Sequence, residues 1–291
     1  MRAPSASQRG VLNPHAVGTH FHLTRYPPSE DLAFFVERHW TVRWDLRERE
    51  PFPQEVLPHP CVNLVLEAGR SAVHGVSTRR FSTLLEGKGQ VVGVKFRPGA
   101  FFPFVRVPMS GLTDRALPLH EVFGPAGADL EPAVLARHDE HEQIARVEAF
   151  LRQRLPPRDG TVATVVRVIQ HALEHQELAR VEDLSVQVGL SVRTLQRLFR
   201  QYVGVSPKWV LRRFRLHEAA DRVATGLHVD WAAFAQELGY FDQAHFIHDF
   251  KAQVGRSPTE YAALCGAHGF PPGQGQPHPV RPGASVMPGP G

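Results

Sequence analysis

The sequence predicts two unlike parts: an α+β N-terminal domain with a β-rich core, then an all-helical domain built on two helix-turn-helix motifs. Three observations carry this. Short apolar or alternating runs broken by Pro and Gly fill the stretch from Leu32 to about Gly124. Apolar residues at helical spacing take over from His141, and a segment ending in Gly-x-Ser-Pro occurs twice, closing at Pro207 and at Pro258.

A chain of 291 residues with 42% hydrophobic residues is long enough for about two domains. No apolar run approaches the roughly 18 residues needed to span a bilayer, so no membrane partner is expected. Arg2 and Arg9 have no apolar stretch behind them, which argues against a secretory signal and for a cytoplasmic location. Cys61 and Cys265 are the two cysteines; so far apart, they are expected as reduced, packed thiols. A net charge of +4 says little, because a basic patch and not a basic total is the footprint of phosphate binding.

Residues 1–24 are polar, aperiodic and expected to be poorly ordered. A sensing or regulatory domain is expected over 25–139. In it, Leu32–Arg38 reads as a short helix behind Pro27-Pro28, with Leu32, Phe35 and Val36 on one face. Strands are expected at His39–Trp44, Cys61–Leu66 and Gln90–Phe96, the last alternating Val92, Val94 and Phe96 against Gly93 and Lys95. Over 140–160 a linker helix at His141–Leu155 spaces Ile144, Val147, Phe150 and Leu151 on one face before Pro156-Pro157 ends it. Helices resume over 161–265. The Gly- and Pro-rich stretch 266–291 is expected to be a disordered tail.

The repeat carries the function. One copy reads Val188-Gly189-Leu190-Ser191, then Leu195-Gln196-Arg197-Leu198-Phe199-Arg200, then Gly204-Val205-Ser206-Pro207. The other reads Leu238-Gly239-Tyr240-Phe241-Asp242, then Phe246-Ile247-His248-Asp249-Phe250-Lys251, then Gly255-Arg256-Ser257-Pro258. The turn glycines are 50 residues apart and the Ser-Pro pairs 51 apart, so the second turn is one residue longer. In each copy a short helix (Val181–Val188, Trp231–Leu238) ends at a glycine able to turn left-handed. Ser191 or Asp242 then caps a second helix. Leu195, Leu198, Phe199 and Tyr202 form the inward stripe of one second helix, and Phe246 and Phe250 that of the other.

The outward faces are the candidate DNA-reading residues: Ser191, Arg193, Thr194, Gln196, Arg197 and Arg200 in the first copy, and Gln243, Ala244, His245, Ile247, His248 and Lys251 in the second. Arg and Gln offer bidentate hydrogen bonds to guanine and adenine edges, while Lys and Arg meet phosphates. Seven basic residues and no acid lie between Arg193 and Arg215. Two such units on one connecting helix, Pro207–Ala224, can fill successive major grooves on one face of a duplex. The competing account is an all-helical interaction domain with a solvated basic face; two copies in register disfavour it.

The stretch Val181–Cys265 resembles the DNA-binding domain of AraC/XylS-type transcription regulators. The resemblance rests on Gly-Leu-Ser-x-Arg-x-Leu-Gln-Arg-x-Phe and on Gly-Tyr-x-Asp-Gln-Ala-His-Phe-x-x-x-Phe-Lys. It implies about seven helices, the first near Val162–His175, transcription regulation in bacteria, and asymmetric DNA contacts by the two motifs. Where the family often has Arg, this chain has His248, and an imidazole has a shorter reach and weaker charge than a guanidinium. The expectation is one strong reader and one weaker. From Pro27 to about Gly124 the chain is also similar to the N-terminal domain of a little-characterised AraC-like branch, through Phe-Val-Glu-Arg-His-Trp, Leu-Pro-His-Pro-Cys-Val-Asn-Leu-Val-Leu and Val-Gly-Val-Lys-Phe-Arg-Pro-Gly-Ala.

Candidate chemistry in that N-terminal part is thin. His59 and Cys61, with His20 and His22 nearby in sequence, lack the convergent ligands of a zinc site. Arg97 could hold an acidic ligand, with a structural ion pair favoured. Trp40, Trp44, Phe96, Phe101 and Phe102 could line a pocket, with core packing favoured. Gly87-Lys88-Gly89 lacks the end of a phosphate loop and reads as a turn. No catalytic, cofactor or metal residues are assigned. The reading is a non-enzymatic regulator of duplex DNA, with RNA polymerase, a small-molecule effector and a second copy of the chain as further candidate partners. Its rivals are a DNA-targeted enzyme and an effector-free architectural DNA-binding protein.

Overall fold

The computed structural model describes residues 10–175, 177–224 and 231–266. The expected tail lies, from 267 on, outside the described residues.

Eight strands come first: β1 (His22–Tyr26), β2 (Val36–Leu46), β3 (Phe52–Val56), β4 (Asn63–Glu67), β5 (Ala72–His74), β6 (Phe81–Leu85), β7 (Gly87–Phe96) and β8 (Ala116–Pro118). Six form an antiparallel sheet in the order β1-β2-β7-β4-β5-β8, and β3 pairs with β6 beside it. The three expected strands fall within or overlap β2, β4 and β7. Two expectations fail. Gly87-Lys88-Gly89 is not a turn but the start of β7, where Trp44 and Trp40 lie across Gly89 and Gly93. A methyl added at Gly93 would meet the Trp40 ring at 2.0 Å, so glycine is needed for close approach. Leu32–Arg38 is not a helix. Residues 31–35 turn and Val36 opens β2, with a register shift between Val36 and Arg38. Leu32, Phe35 and Val36 are all buried as their pattern required, but a turn running into a bulged strand mimicked helical spacing.

Short helical turns α1 (Phe102–Val105), α2 (Leu119–Phe123), α3 (Pro125–Ala128) and α4 (Leu130–Leu135) lead to the linker helix α5 (Glu140–Arg152), capped by Asp139. Leu64, Leu66, Val92, Val94 and Phe96 of the sheet pack with Val134, Val147 and Leu151. The polar end of this interface centres on Glu148, which accepts hydrogen bonds from Ser29 N and Oγ (2.8 Å each) and from His39 Nε2 (3.1 Å). Burial pushes the Glu148 carboxyl up, but the bonds from His39 and Ser29 outweigh it and hold the group at about 2.

Seven described helices follow: α6 (Gly160–Glu174), α7 (Val181–Val188), α8 (Val192–Leu198), α9 (Pro207–Ala224), α10 (Trp231–Glu237), α11 (Gln243–Val254) and α12 (Pro258–Leu264). They enclose two cores, and the β part contributes to both. Phe35, Val76 and Ala100 join Val165, Leu195, Phe199 and Phe214 in the first. Leu12 and Leu57 join Leu216, Phe234, Phe246 and Phe250 in the second. Residues 10–24 therefore differ from the expected loose N-terminus. Leu12 is 2% exposed and Val11 bridges Val56, because Leu12 joins a core with residues of α9 and α11 that no local window of sequence contains.

Candidate nucleic-acid interface

In the first unit α7 ends at Gly189, left-handed at φ +68° with open space where a side chain would go. Glycine is there for its conformation. Ser191 Oγ accepts from Thr194 N at 3.2 Å and so caps α8. A π-helical turn, Phe199–Val203, continues it. Leu195, Leu198, Phe199 and Tyr202 are buried; Ser191, Arg193, Gln196, Arg197 and Arg200 are exposed and Thr194 half-buried. The structure thus places all six residues expected of this copy on or beside one outward helix. The far end is moored: Tyr202 donates to Asp159 Oδ2 (2.7 Å) and packs at a tilt against Phe102 (centroids 4.4 Å apart), and Thr113 Oγ1 donates to Gly204 O (2.7 Å).

In the second unit Gly239 turns at φ +69°, and Asp242 Oδ1 accepts from His245 N at 2.7 Å to cap α11. Phe246 and Phe250 are buried. Ala244, His245, His248 and Lys251 are exposed, with Gln243 and Ile247 half-buried. Aligned on their caps, Arg193 corresponds to Ala244, Gln196 to Ile247, Arg197 to His248 and Arg200 to Lys251. The second face carries one permanent cation where the first carries three.

The basic run between Arg193 and Arg215 needs a correction. Arg193, Arg197, Arg200 and Lys208 face solvent, but three others serve the fold. Arg212 forms a two-pronged pair with buried Asp249, Nε to Oδ2 at 2.8 Å and Nη2 to Oδ1. Tyr240 Oη donates to the same carboxylate at 2.8 Å. Arg215 Nη1 donates to the Leu238 and Gly239 carbonyls at the end of α10 (2.9 and 3.2 Å), its guanidinium 5.0 Å from the Tyr240 ring centre. Arg213 is 1% exposed and donates to Thr78 O in the β part (2.7 Å) and to Gln253 (3.0 Å). Burial and neighbouring Arg212 pull Arg213 down to about 10, so it keeps its charge at neutral pH. Connector helix α9 thereby sets the second unit's turn and ties both to the β part. Sequence pattern shows the cations, while their partners emerge only in three dimensions.

Two more contacts cross that seam. Glu55 of β3, paired with Arg80 of its own part, reaches across to Arg256 at 2.5 Å. The His59 ring stacks on His217 of α9, centroids 4.1 Å apart and planes 15° from parallel. His59 and Cys61 therefore take structural places. Burial lifts the Cys61 thiol to about 11, which leaves no thiolate nucleophile at neutral pH. Among the described residues no group of three or more His, Cys, Asp or Glu could hold a metal ion, and no helix is long and apolar enough to cross a membrane. Arg97 Nε donates to Ala33 O (2.7 Å), pinning the turn before β2. Phe96 packs edge-on to Phe101 (4.9 Å) inside the core.

Residues 24–118 match a domain of unknown function (DUF6597), and residues 184–263 match a helix-turn-helix domain. Among characterised proteins, the arabinose operon regulatory protein of Escherichia coli is 29% identical over 122 residues, 42% of this chain and 41% of that protein. Its Salmonella typhimurium counterpart is 30% identical over 139 residues, 44% and 48%. A probable thc operon regulatory protein of Rhodococcus erythropolis is 29% identical over 152 residues, 50% and 42%. The chain thus spans less than half the length of these relatives. Of solved structures, ToxT from Vibrio cholerae aligns over 84% of this chain and 99% of that one, at 12% identity and a TM-score of 0.37. Two capped units on one connector occupy the stretch that matches the helix-turn-helix domain, so the C-terminal part of this chain is a helix-turn-helix domain.

Proposed function

We propose that the whole chain is a sequence-specific transcription regulator acting in the cytoplasm. Helices α8 and α11 lie in successive major grooves of promoter DNA, and the N-terminal part senses an effector or mediates dimerisation. One observation carries this reading: both recognition faces are exposed while the residues behind them are locked, α8 by Asp159 and Thr113, α11 by Arg212 and Arg215 on α9. A rigid scaffold presenting Arg193, Gln196, Arg197 and Arg200 outward suits direct readout of base edges. The contacts of Thr78, Glu55 and His59 with the helical part supply a route by which a change in the N-terminal part reaches the second reader. RNA polymerase fits as a further partner of a promoter-bound chain.

Sequencing the DNA that the full chain selects from a random pool tests the proposal. Two unequal half-motifs about one helical turn, roughly 10 base pairs, apart are expected, the more tightly specified one belonging to α8. Salt-sensitive binding with no sequence preference would overturn it.

A further inference from the structure

The extra residue of the second turn is Phe241, and its placement has a physical cause. In the first unit Leu190 stands just before the cap Ser191 and packs on the core that includes Leu195, the fourth residue of the helix. A hydrophobic residue at that place ordinarily folds onto the fourth helical position. In the second unit Phe241 stands just before Asp242, and the fourth position is Phe246. That slot is already filled. Tyr240 lies with its ring 5.4 Å from Phe246 and is held by Asp249 and by Arg215. Phe241 is therefore turned out to 90% exposure, the most exposed large apolar side chain among the described residues.

Beyond the cap Asp242 the chemistry of the outward face also differs between the two units. Where α8 carries the exposed Arg193 and Gln196, α11 carries the exposed Ala244 and, half-buried against the core, Ile247. Two positions able to hydrogen-bond base edges in the first unit are apolar in the second. An apolar surface in the major groove distinguishes one base by attraction, thymine, through its C5-methyl group. Resting on the DNA-binding reading above, we infer that α11 reads thymine methyl groups, with Phe241 as the principal contact and Ala244 and Ile247 beside it. The second unit then depends on shape-fitted apolar contact more than on charge.

The test uses the full chain and DNA selected by it, with thymidine replaced by deoxyuridine one position at a time in the second half-motif. Burying one methyl group contributes ~0.8 kcal/mol, about fourfold in affinity. Wild-type protein should lose about fourfold at one or two positions. Phe241→Ala should lose a similar factor on thymine DNA and be indifferent to uracil at those positions. Its thermal unfolding midpoint should be unchanged, since the side chain is exposed. The inference is overturned by wild-type protein that tolerates uracil throughout the half-motif, or by Phe241→Ala retaining the full uracil penalty. Phe241→Ala that binds DNA normally but fails to regulate transcription would also overturn it, assigning the ring to a protein partner. A chain that selects no sequence overturns the DNA-reading proposal itself, whereas one that selects a motif but ignores thymine methyls overturns this inference alone.

Discussion

His59, between β3 and β4, lies face to face with His217 of α9 at 4.1 Å, so an imidazole pair sits where the β part meets the connector of the two helix-turn-helix units. Burial, then His217, lowers His59 well below its ordinary value, and Lys95, Arg38 and Arg25 push the same way. A histidine held neutral in the fold leaves stability intact above the unfolded value near 6.5. Below it that stability is lost, because the unfolded chain takes up the proton first. Acidification from about pH 7 to pH 5 should loosen this seam, seen as faster amide exchange in α9. His59→Phe, which keeps an aromatic face but cannot protonate, should flatten that pH dependence. An unchanged dependence would place its origin elsewhere.

Arg197 and His248 occupy equivalent positions on the two helix-turn-helix units, and they should not be equivalent in effect. Arg197→Ala should weaken binding to the selected DNA about tenfold, as expected for loss of a bidentate contact. His248→Ala should cost no more than about threefold, near a single weak contact. Arg200→Ala should lower the slope of log affinity against log salt by about one. Titrations at three salt concentrations measure all of this, and equal losses at Arg197 and His248 would contradict the unequal-reader account.

Asp249 receives Arg212 and Tyr240 at once. Asp249→Ala leaves a guanidinium and a buried hydroxyl short of their acceptor, costing about 2–3 kcal/mol in denaturant unfolding. Because Tyr240 helps to hold the second turn, the half-motif of α11 should lose definition while that of α8 survives.

Glu148 supplies an acid limit. Its carboxyl, held at about 2, stabilises the fold fully above its unfolded value near 4.5. The contribution falls away as pH drops from there towards 2. Glu148→Gln should be less stable at pH 7 and show a shallower loss of thermal stability across that acid range.

The helix-turn-helix units were legible because their signals are local. Gly189, Ser191, Gly239 and Asp242 announce turn and cap within a few residues, and the inward stripes repeat at helical spacing. The sheet was legible only as strands. That Trp40 faces Gly93 depends on register between residues 53 apart in sequence, which no window contains. The supposed helix at Leu32–Arg38 was a turn entering a bulged strand, and both give apolar residues at the same intervals. The basic run was visible, but the burial of Arg213 and Arg215 and the pairing of Arg212 depend on Thr78, the α10 carbonyls and Asp249. The second turn was visibly one residue longer, while the outward direction of Phe241 depends on Tyr240 having filled the slot over Phe246.

The burial of Leu12 in one core with Leu216 and Phe250 has a consequence in time. During synthesis Leu12 emerges about 200 residues before the helices that receive it. At ~5–20 residues per second it waits on the order of 10–40 s for its socket. The second helix-turn-helix unit is thus completed by a residue translated well before its own helices.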